Sequence, residues 1–430
     1  MNILIQHGEV IDPCRGFQQV ADVAIQRGHV LSIGSVAKDF QPDQVIDARG
    51  CWVMPGLVDL CARLGEPGHA HEGMLASELG AAVAGGVTSL VCPPDTQPVL
   101  DEPGLVEMLQ LRAARLQCAR VFPLGALTQG LAGDNLSAMA ELTQAGCVGF
   151  SQAEAGVSHT QILQRAMQYA ATYGYVLWMR AQDAFLGKGV AASGPIATRL
   201  GLSGVPVAAE TIALHTLIDV MRSTGARLHL CRLSSAAGVA LVRQAKAEGL
   251  PVTADVSIHQ LHFTDNDVGY FDTRARLNPP LRQSQDRDAL RAALADGTID
   301  VLVSDHTPVL GDAKDLPFAQ TEPGASALEM LLSATLKWAE QSGVSRMRAL
   351  QVVTCEPAKL LGESAEGLGR LDVGCPADVC VLNPSIQWQV APSSLHSQSK
   401  HTPFAFAMSG SQMPGKVKAT LVGGRVVYQA

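Results

Sequence analysis

Aromatic side chains are scarce, at 4% of the 430 residues, so any large core has to be built from Ala, Val, Leu and Ile. Blocks of Lys and Arg are absent, and the formal net charge is -8, which argues against nucleic acid or an anionic membrane as partner. No run of about 20 apolar residues exists, so no membrane span is expected. The chain opens on Asn2-Ile3-Leu4-Ile5 without a basic or long apolar leader, and no signal peptide is expected. The 10 cysteines stand singly, without CxxC pairs. Cys92, Cys147 and Cys231 lie inside apolar runs, where Cys serves as a small hydrophobe. This pattern fits a reducing cytoplasm.

What is present is organised in two styles. Short alternating strands punctuated by Gly8, Gly28 and Gly34 fill residues 1–54, and the same style returns from 368 to 430. Neither end is large enough to bury a core alone, so the two are expected to form one small β-sandwich-like domain. Residues 55–367 alternate short apolar strands with helical stretches. Candidate strands end at Asp59, Cys92, Leu124, Ser151, Arg180, Arg232, Val256 and Asp305. Eight such units predict an α/β chain with a (β/α)8 TIM-type barrel, whose functional groups sit at the C-terminal strand ends.

The segment Pro55-Gly56-Leu57-Val58-Asp59-Leu60-Cys61-Ala62-Arg63 has the shape of a zinc-hydrolase opening, PG-x-x-D-x-H-x-H, with Cys61 and Arg63 where the histidines belong. Further signatures follow in order: Glu66-Pro67-Gly68, Gly85-Gly86-Val87-Thr88, Cys92-Pro93-Pro94-Asp95-Thr96-Gln97-Pro98, Asn278-Pro279-Pro280-Leu281-Arg282 and Asp305-His306-Thr307-Pro308. Together they resemble dihydroorotase, of the amidohydrolase superfamily, over essentially the whole chain.

The resemblance implies a site in which zinc polarises an amide carbonyl and activates water. Carried over position by position, it implies that Cys61 and Arg63 replace an HxH pair. Gln152 replaces the bridging carboxylate, Arg180 and Arg232 replace two further histidines, and only Asp305 survives. Arginine stays protonated and offers no lone pair to a metal, so no metal or other cofactor is expected. Substrate positions differ as well. Gly65 stands for an Arg, Asp95 for an Asn and Val309 for a His, while Asn278 is retained.

Other groups compete for attention. His69-Ala70-His71 is a nearby HxH, but it follows the Pro67-Gly68 turn and is expected on a surface loop. His229 is expected to be half-buried with its ring hydrogen-bonded. A metal site rebuilt from Asp59, Asp305, His259, His262 and His306 is a minor alternative, as is Glu154 taking over the lost bridge. The arginines either fill the metals' space and neutralise Asp59 and Asp305, or project into solvent.

The expectation at this point is a protein that is not an enzyme. Some bacteria carry inactive dihydroorotase homologues that assemble with aspartate carbamoyltransferase of pyrimidine biosynthesis. The resemblance implies such a structural subunit, with six chains of each type, and self-association as a homodimer. The alternatives are an active cyclic-amide hydrolase with a divergent metal site, and a sensor that binds a pyrimidine intermediate without turnover.

Overall fold

The computed structural model describes residues 1–156, 159–405 and 412–430. The amino-terminal strands are β1 (Asn2–Asp12), β2 (Phe17–Gln26), β3 (His29–Ile33), β4 (Gln44–Asp47) and β5 (Trp52–Pro55). The barrel strands are β6 (Leu57–Asp59), β7 (Val87–Cys92), β8 (Arg120–Pro123), β9 (Gly125–Ala126), β10 (Phe150–Ser151) and β11 (Val176–Arg180). A two-stranded excursion, β12 (Ala191–Ala192) and β13 (Gly204–Val205), precedes β14 (Arg227–Cys231), β15 (Val252–Ser257) and β16 (Val301–Val303). The chain ends on β17 (Val379–Gln389), β18 (Gln412–Val422) and β19 (Arg425–Gln429).

Both chain ends enter one eight-stranded sheet, in the order β19-β18-β17-β5-β1-β2-β3 with β4 beside β1. The alternation seen in the sequence becomes burial: Ile3, Ile5 and Val10 of β1 pack with Val379 and Val381 of β17 and with Leu421 of β18 in one cluster. The amino-terminal strands cannot complete this core without the carboxyl-terminal ones, which explains why neither end reads as a unit by itself.

In the barrel, β6-β7-β8 and β9-β10-β11-β14-β15-β16 are parallel runs. They meet at a third strand that breaks at Leu124, whose N–H donates to Cys92 O at 2.9 Å. The ring closes where Ala62 bridges to His306, with Arg63 N–H donating to His306 O at 2.8 Å. These strands are short, two to six residues, and β6, β7 and β16 are buried throughout, as a parallel sheet wrapped by helices requires.

The outer helices follow the 3.6-residue period. Helix Val207–Thr224 buries Ala209, Leu214, Leu217, Ile218 and Met221 along one stripe. It also carries Glu210, buried, whose carboxylate accepts the N–H groups of Ser234 (2.9 Å) and Ser235 (3.1 Å). Arg282, from the NPPLR segment, donates to Ser234 Oγ at 2.8 Å. The turn after β14 is therefore clamped from two sides, and Arg232 stands at its start. The two parts of the molecule join at Gly56, where a Cβ would lie 2.2 Å from the Thr88 side chain, so only glycine allows β6 to seat against β7. Among the described residues no helix is long and apolar enough to cross a membrane.

Candidate active site at the barrel mouth

The C-terminal strand ends bring Arg63, Arg180 and Arg232 together around one carboxylate, that of Glu154. Arg63 Nη2 donates to Glu154 Oε1 at 3.0 Å, and Arg180 and Arg232 each form a short ion pair with the same carboxylate. Asn278 Nδ2 donates to Glu154 Oε2 at 2.7 Å, while its Oδ1 accepts from Arg180 Nη2 at 2.7 Å.

Each arginine has a second anchor. Arg63 Nε and Nη2 hold Asp95 Oδ2 at 3.0 and 2.8 Å, and its Nη1 donates to Thr307 Oγ1 at 3.1 Å. Arg232 Nη1 donates to Asp305 Oδ1 at 3.2 Å and to Asn278 O at 3.3 Å. Arg180 donates to Gln182 as well as to Asn278. Three guanidiniums thus face three carboxylates, Glu154, Asp305 and Asp95, and the cluster balances its own charge.

The side chains of Arg180 and Arg232 are only 5% and 4% exposed, so they do not project into solvent. Burial opposes the charge of Arg232, but Asp305 leads the attractions that outweigh it, and its pKa is raised. Burial lowers the Arg180 pKa well below its ordinary value, and repulsion from Arg232 adds to this. Glu154 is its only carboxylate contact among the described ion pairs. Burial raises the Asp305 pKa from its ordinary value against the pull of Arg232, Arg63 and Arg180.

The arginines neutralise Asp305 as anticipated, but not Asp59. Asp59 lies deeper, fully buried, and accepts Ser304 N–H at 2.9 Å together with a short bond from Ser304 Oγ. Burial raises it to about 6, opposed by those Ser304 bonds. Cys61 Sγ sits 3.7 Å from Asp305 Oδ1, and burial pushes its thiol well above the usual range. Gln152 is buried and turned to the neighbouring loop, accepting from Thr128 Oγ1 at 3.0 Å and donating to Leu131 O at 2.8 Å. Val309 is buried. Gly65 has φ +70°, and a Cβ there would lie 1.9 Å from Gly73 O, so the loop leaves no room for the arginine of the resembling family.

The histidines do not gather as the minor alternative required. His306 Nε2 contacts Glu78 Oε2 at 2.9 Å, and its Nδ1 accepts Ala327 N–H at 3.0 Å. His262 Nε2 contacts Ala334 O at 2.9 Å. His259 is buried with neither ring nitrogen paired, and burial lowers it to about 3. His229, expected to be half-buried, is fully buried, with Nδ1 on Thr253 Oγ1 (2.9 Å) and Nε2 on Asp255 Oδ2 (2.8 Å).

Sequence reasoning underrated Glu154. Its value depends on the turn after β10, where Ala153 has φ +49° and carries Glu154 over the mouth. Arg232 and Asp305 share this left-handed conformation, each with φ +55°. Such positions cost about 1–3 kcal/mol each and concentrate at functional sites. Between Arg63, Glu154, Arg232, Asn278 and Asp305 lies a hollow of about 200 Å³. That suits one small ring and falls short of a drug-sized ligand.

The comparisons with known proteins agree with this architecture. The family model described as Dihydro-orotase-like matches residues 50–237. A protein named "Dihydroorotase-like protein" from Pseudomonas aeruginosa is 40% identical over 430 residues, covering 100% of both chains. The chain belongs to the dihydroorotase-like family. A Geobacter protein named "Dihydroorotase" is 38% identical over 431 residues, again covering 100% of both. L-hydantoinase from Arthrobacter aurescens has the same fold, with a TM-score of 0.88 at 24% identity, covering 99% of this chain and 96% of that one.

These findings correct the expectation that the protein is not an enzyme. The chain matches proteins named dihydroorotase from end to end, so loss of the inherited histidines does not by itself remove it from the catalytic part of the family. A group able to hold a metal is also present lower in the barrel: one ligand atom each from His229, Cys231 and Asp255 lies within 4.8 Å of the others. The zinc that the resemblance implies does not fit at the mouth, since Arg63, Arg180 and Arg232 stand at the implied ligand positions with no lone pair to give.

Proposed function

We propose that the protein is a cyclic-amide hydrolase of the dihydroorotase type that receives a small carboxylated ring, with guanidinium groups in place of metal ions. The observation behind this reading is the convergence of Arg63, Arg180, Arg232 and Asn278 on a single carboxylate. Glu154 is the most exposed of the three carboxylates in the cluster, at 33%. A ligand carboxylate can take its place without disturbing the barrel interior.

In this reading water adds to the ring carbonyl, Asp305 takes its proton, and the proton passes to the ring nitrogen as the C–N bond breaks. Charge building on the carbonyl oxygen is met by guanidinium N–H groups in a partly closed site, where fixed donors act most strongly. A raised Asp305 suits a base working nearer neutral pH. The test is hydrolysis of dihydroorotate and hydantoin, and the reverse closure of carbamoyl aspartate, after chelator treatment. Metal-independent turnover that is lost on Arg180→Met supports the proposal. Absence of turnover and of binding for all three compounds overturns it.

We propose, separately, association with the catalytic chain of aspartate carbamoyltransferase, six of each, and self-association as a homodimer. Beyond the resemblance, support comes from exposed Phe185, Tyr270, Phe271, Leu310 and Leu316, all on loops that follow barrel strands β11, β15 and β16. Where such groups adjoin, they make the kind of apolar patch that a partner covers. Light scattering of the two chains mixed tests it, and two unshifted peaks would end it.

A further inference from the structure

The loop between Gly65 and helix Leu75–Ala84 carries a second group of donors outside the arginine cluster. Sequence reading placed His69-Ala70-His71 on the surface. His71 is indeed exposed, but His69 is half-buried and lines a hollow with Arg63, Asp95, Thr307 and Glu72. The loop is held by its own backbone: His69 N–H donates to Gly65 O at 2.6 Å, and Glu72 N–H to His69 O at 3.0 Å. Gln398 Nε2 fastens it from outside, donating to His71 O at 2.9 Å and Ala70 O at 3.3 Å.

This frame turns two imidazoles toward one carboxylate. His69 Nδ1 lies 3.7 Å and His71 Nε2 3.6 Å from Glu72 Oε1, and all three atoms fall within 4.8 Å of one another. Zinc–nitrogen and zinc–oxygen bonds of about 2.0–2.2 Å place neighbouring tetrahedral ligands roughly 3.4 Å apart. The spacing is therefore close to what a shared ion requires, and small side-chain rotations complete it. We infer that His69, His71 and Glu72 form a binding site for a zinc-like divalent cation at the rim of the barrel, with its fourth position open to water.

The donor chemistry favours this over a plain ion pair. Two imidazoles and a carboxylate make up a three-ligand set that zinc accepts, with a water completing the coordination. Glu322 adds a second negative charge close enough to act on Glu72. Arg63, the nearby cation in the same hollow, is already held by Asp95 and Glu154. The site is independent of the arginine cluster, and its occupancy is read without any assay of turnover.

The experiment is equilibrium dialysis of the full chain against zinc, with cobalt substitution for spectroscopy. Wild type is expected to take up one equivalent of zinc, and His71→Ala, at an exposed position, to bind it at least about tenfold more weakly with an unchanged melting temperature. Cys231→Ser should bind as wild type does, and the cobalt form should lack a thiolate charge-transfer band. No uptake by wild type, equal affinity in His71→Ala, or a thiolate band would each overturn the inference. The last would assign the metal to the His229-Cys231-Asp255 group instead.

Discussion

Replacing Glu154 by Ala removes the carboxylate on which the arginine cluster converges, and the consequences differ for each arginine. Arg63 keeps Asp95 and Arg232 keeps Asp305. Arg180 keeps only the neutral oxygens of Gln182 and Asn278, with its side chain 5% exposed. Breaking a fully buried pair by deleting one partner costs about 3–5 kcal/mol. Glu154 is about one-third exposed, so solvent screens part of this, and a loss of about 1–3 kcal/mol is expected. Urea unfolding should show it as a lower midpoint at unchanged slope. The same variant leaves an opening the size of a carboxylate, so carbamoyl aspartate should restore the midpoint in Glu154→Ala more than it raises that of wild type. If Glu154→Ala unfolds at the wild-type midpoint and carbamoyl aspartate moves neither protein, the assignment of Glu154 as a stand-in for a ligand carboxylate is wrong.

Other outcomes follow from the same geometry. Asp59, raised to about 6, holds its proton more tightly folded than unfolded, so its contribution to stability is present below about pH 4 and is lost as pH rises through 6. The loss is about 2–3 kcal/mol, and Asp59→Asn, which can still accept Ser304 N–H, should flatten it in urea titrations between pH 4 and 7. His259, lowered to about 3, acts in the opposite sense: stability is present above about pH 6.5 and is lost on acidification. Its unpaired buried nitrogens make His259→Leu neutral or stabilising at pH 7, by up to about 2 kcal/mol, and less acid-sensitive. Gly65→Arg, which restores the residue of the resembling family, should cost about 2–4 kcal/mol through its positive φ and the Gly73 carbonyl, read as a lowered melting temperature. Arg232→Met leaves Asp305 buried beside Cys61 and should cost about 3 kcal/mol, recoverable in part on acidification, as Asp305, already raised by burial, takes up a proton.

The barrel was legible because its strands are short, apolar and buried on both faces, and because their ends fell within a few residues of where chemistry-bearing side chains stand. Arg180 ends β11, and Arg232 follows β14 directly. The sheet shared by both chain ends was legible for a related reason, since each half shows alternation but too little apolar surface to close a core. What could not be read was which carboxylate the arginines would choose. Asp59 and Asp305 are alike in sequence, yet Ser304 satisfies one and Arg232 the other, a distinction set by depth in the barrel. Glu154 stood only as a minor alternative because its position depends on one left-handed residue, Ala153, which no periodicity announces. The inference from missing histidines to a missing activity failed for another reason. Ligand chemistry excludes a metal at those positions, but it leaves open what a guanidinium cluster can do instead.

The most direct measurement is the rate of dihydroorotate hydrolysis by chelator-treated protein, compared with the same protein supplied with zinc and with its Arg180→Met variant. Turnover indifferent to zinc and abolished in the variant is expected if the guanidinium cluster does the work of the metals. Turnover that appears only with zinc, or none under any condition with no binding of dihydroorotate or carbamoyl aspartate, would contradict that expectation.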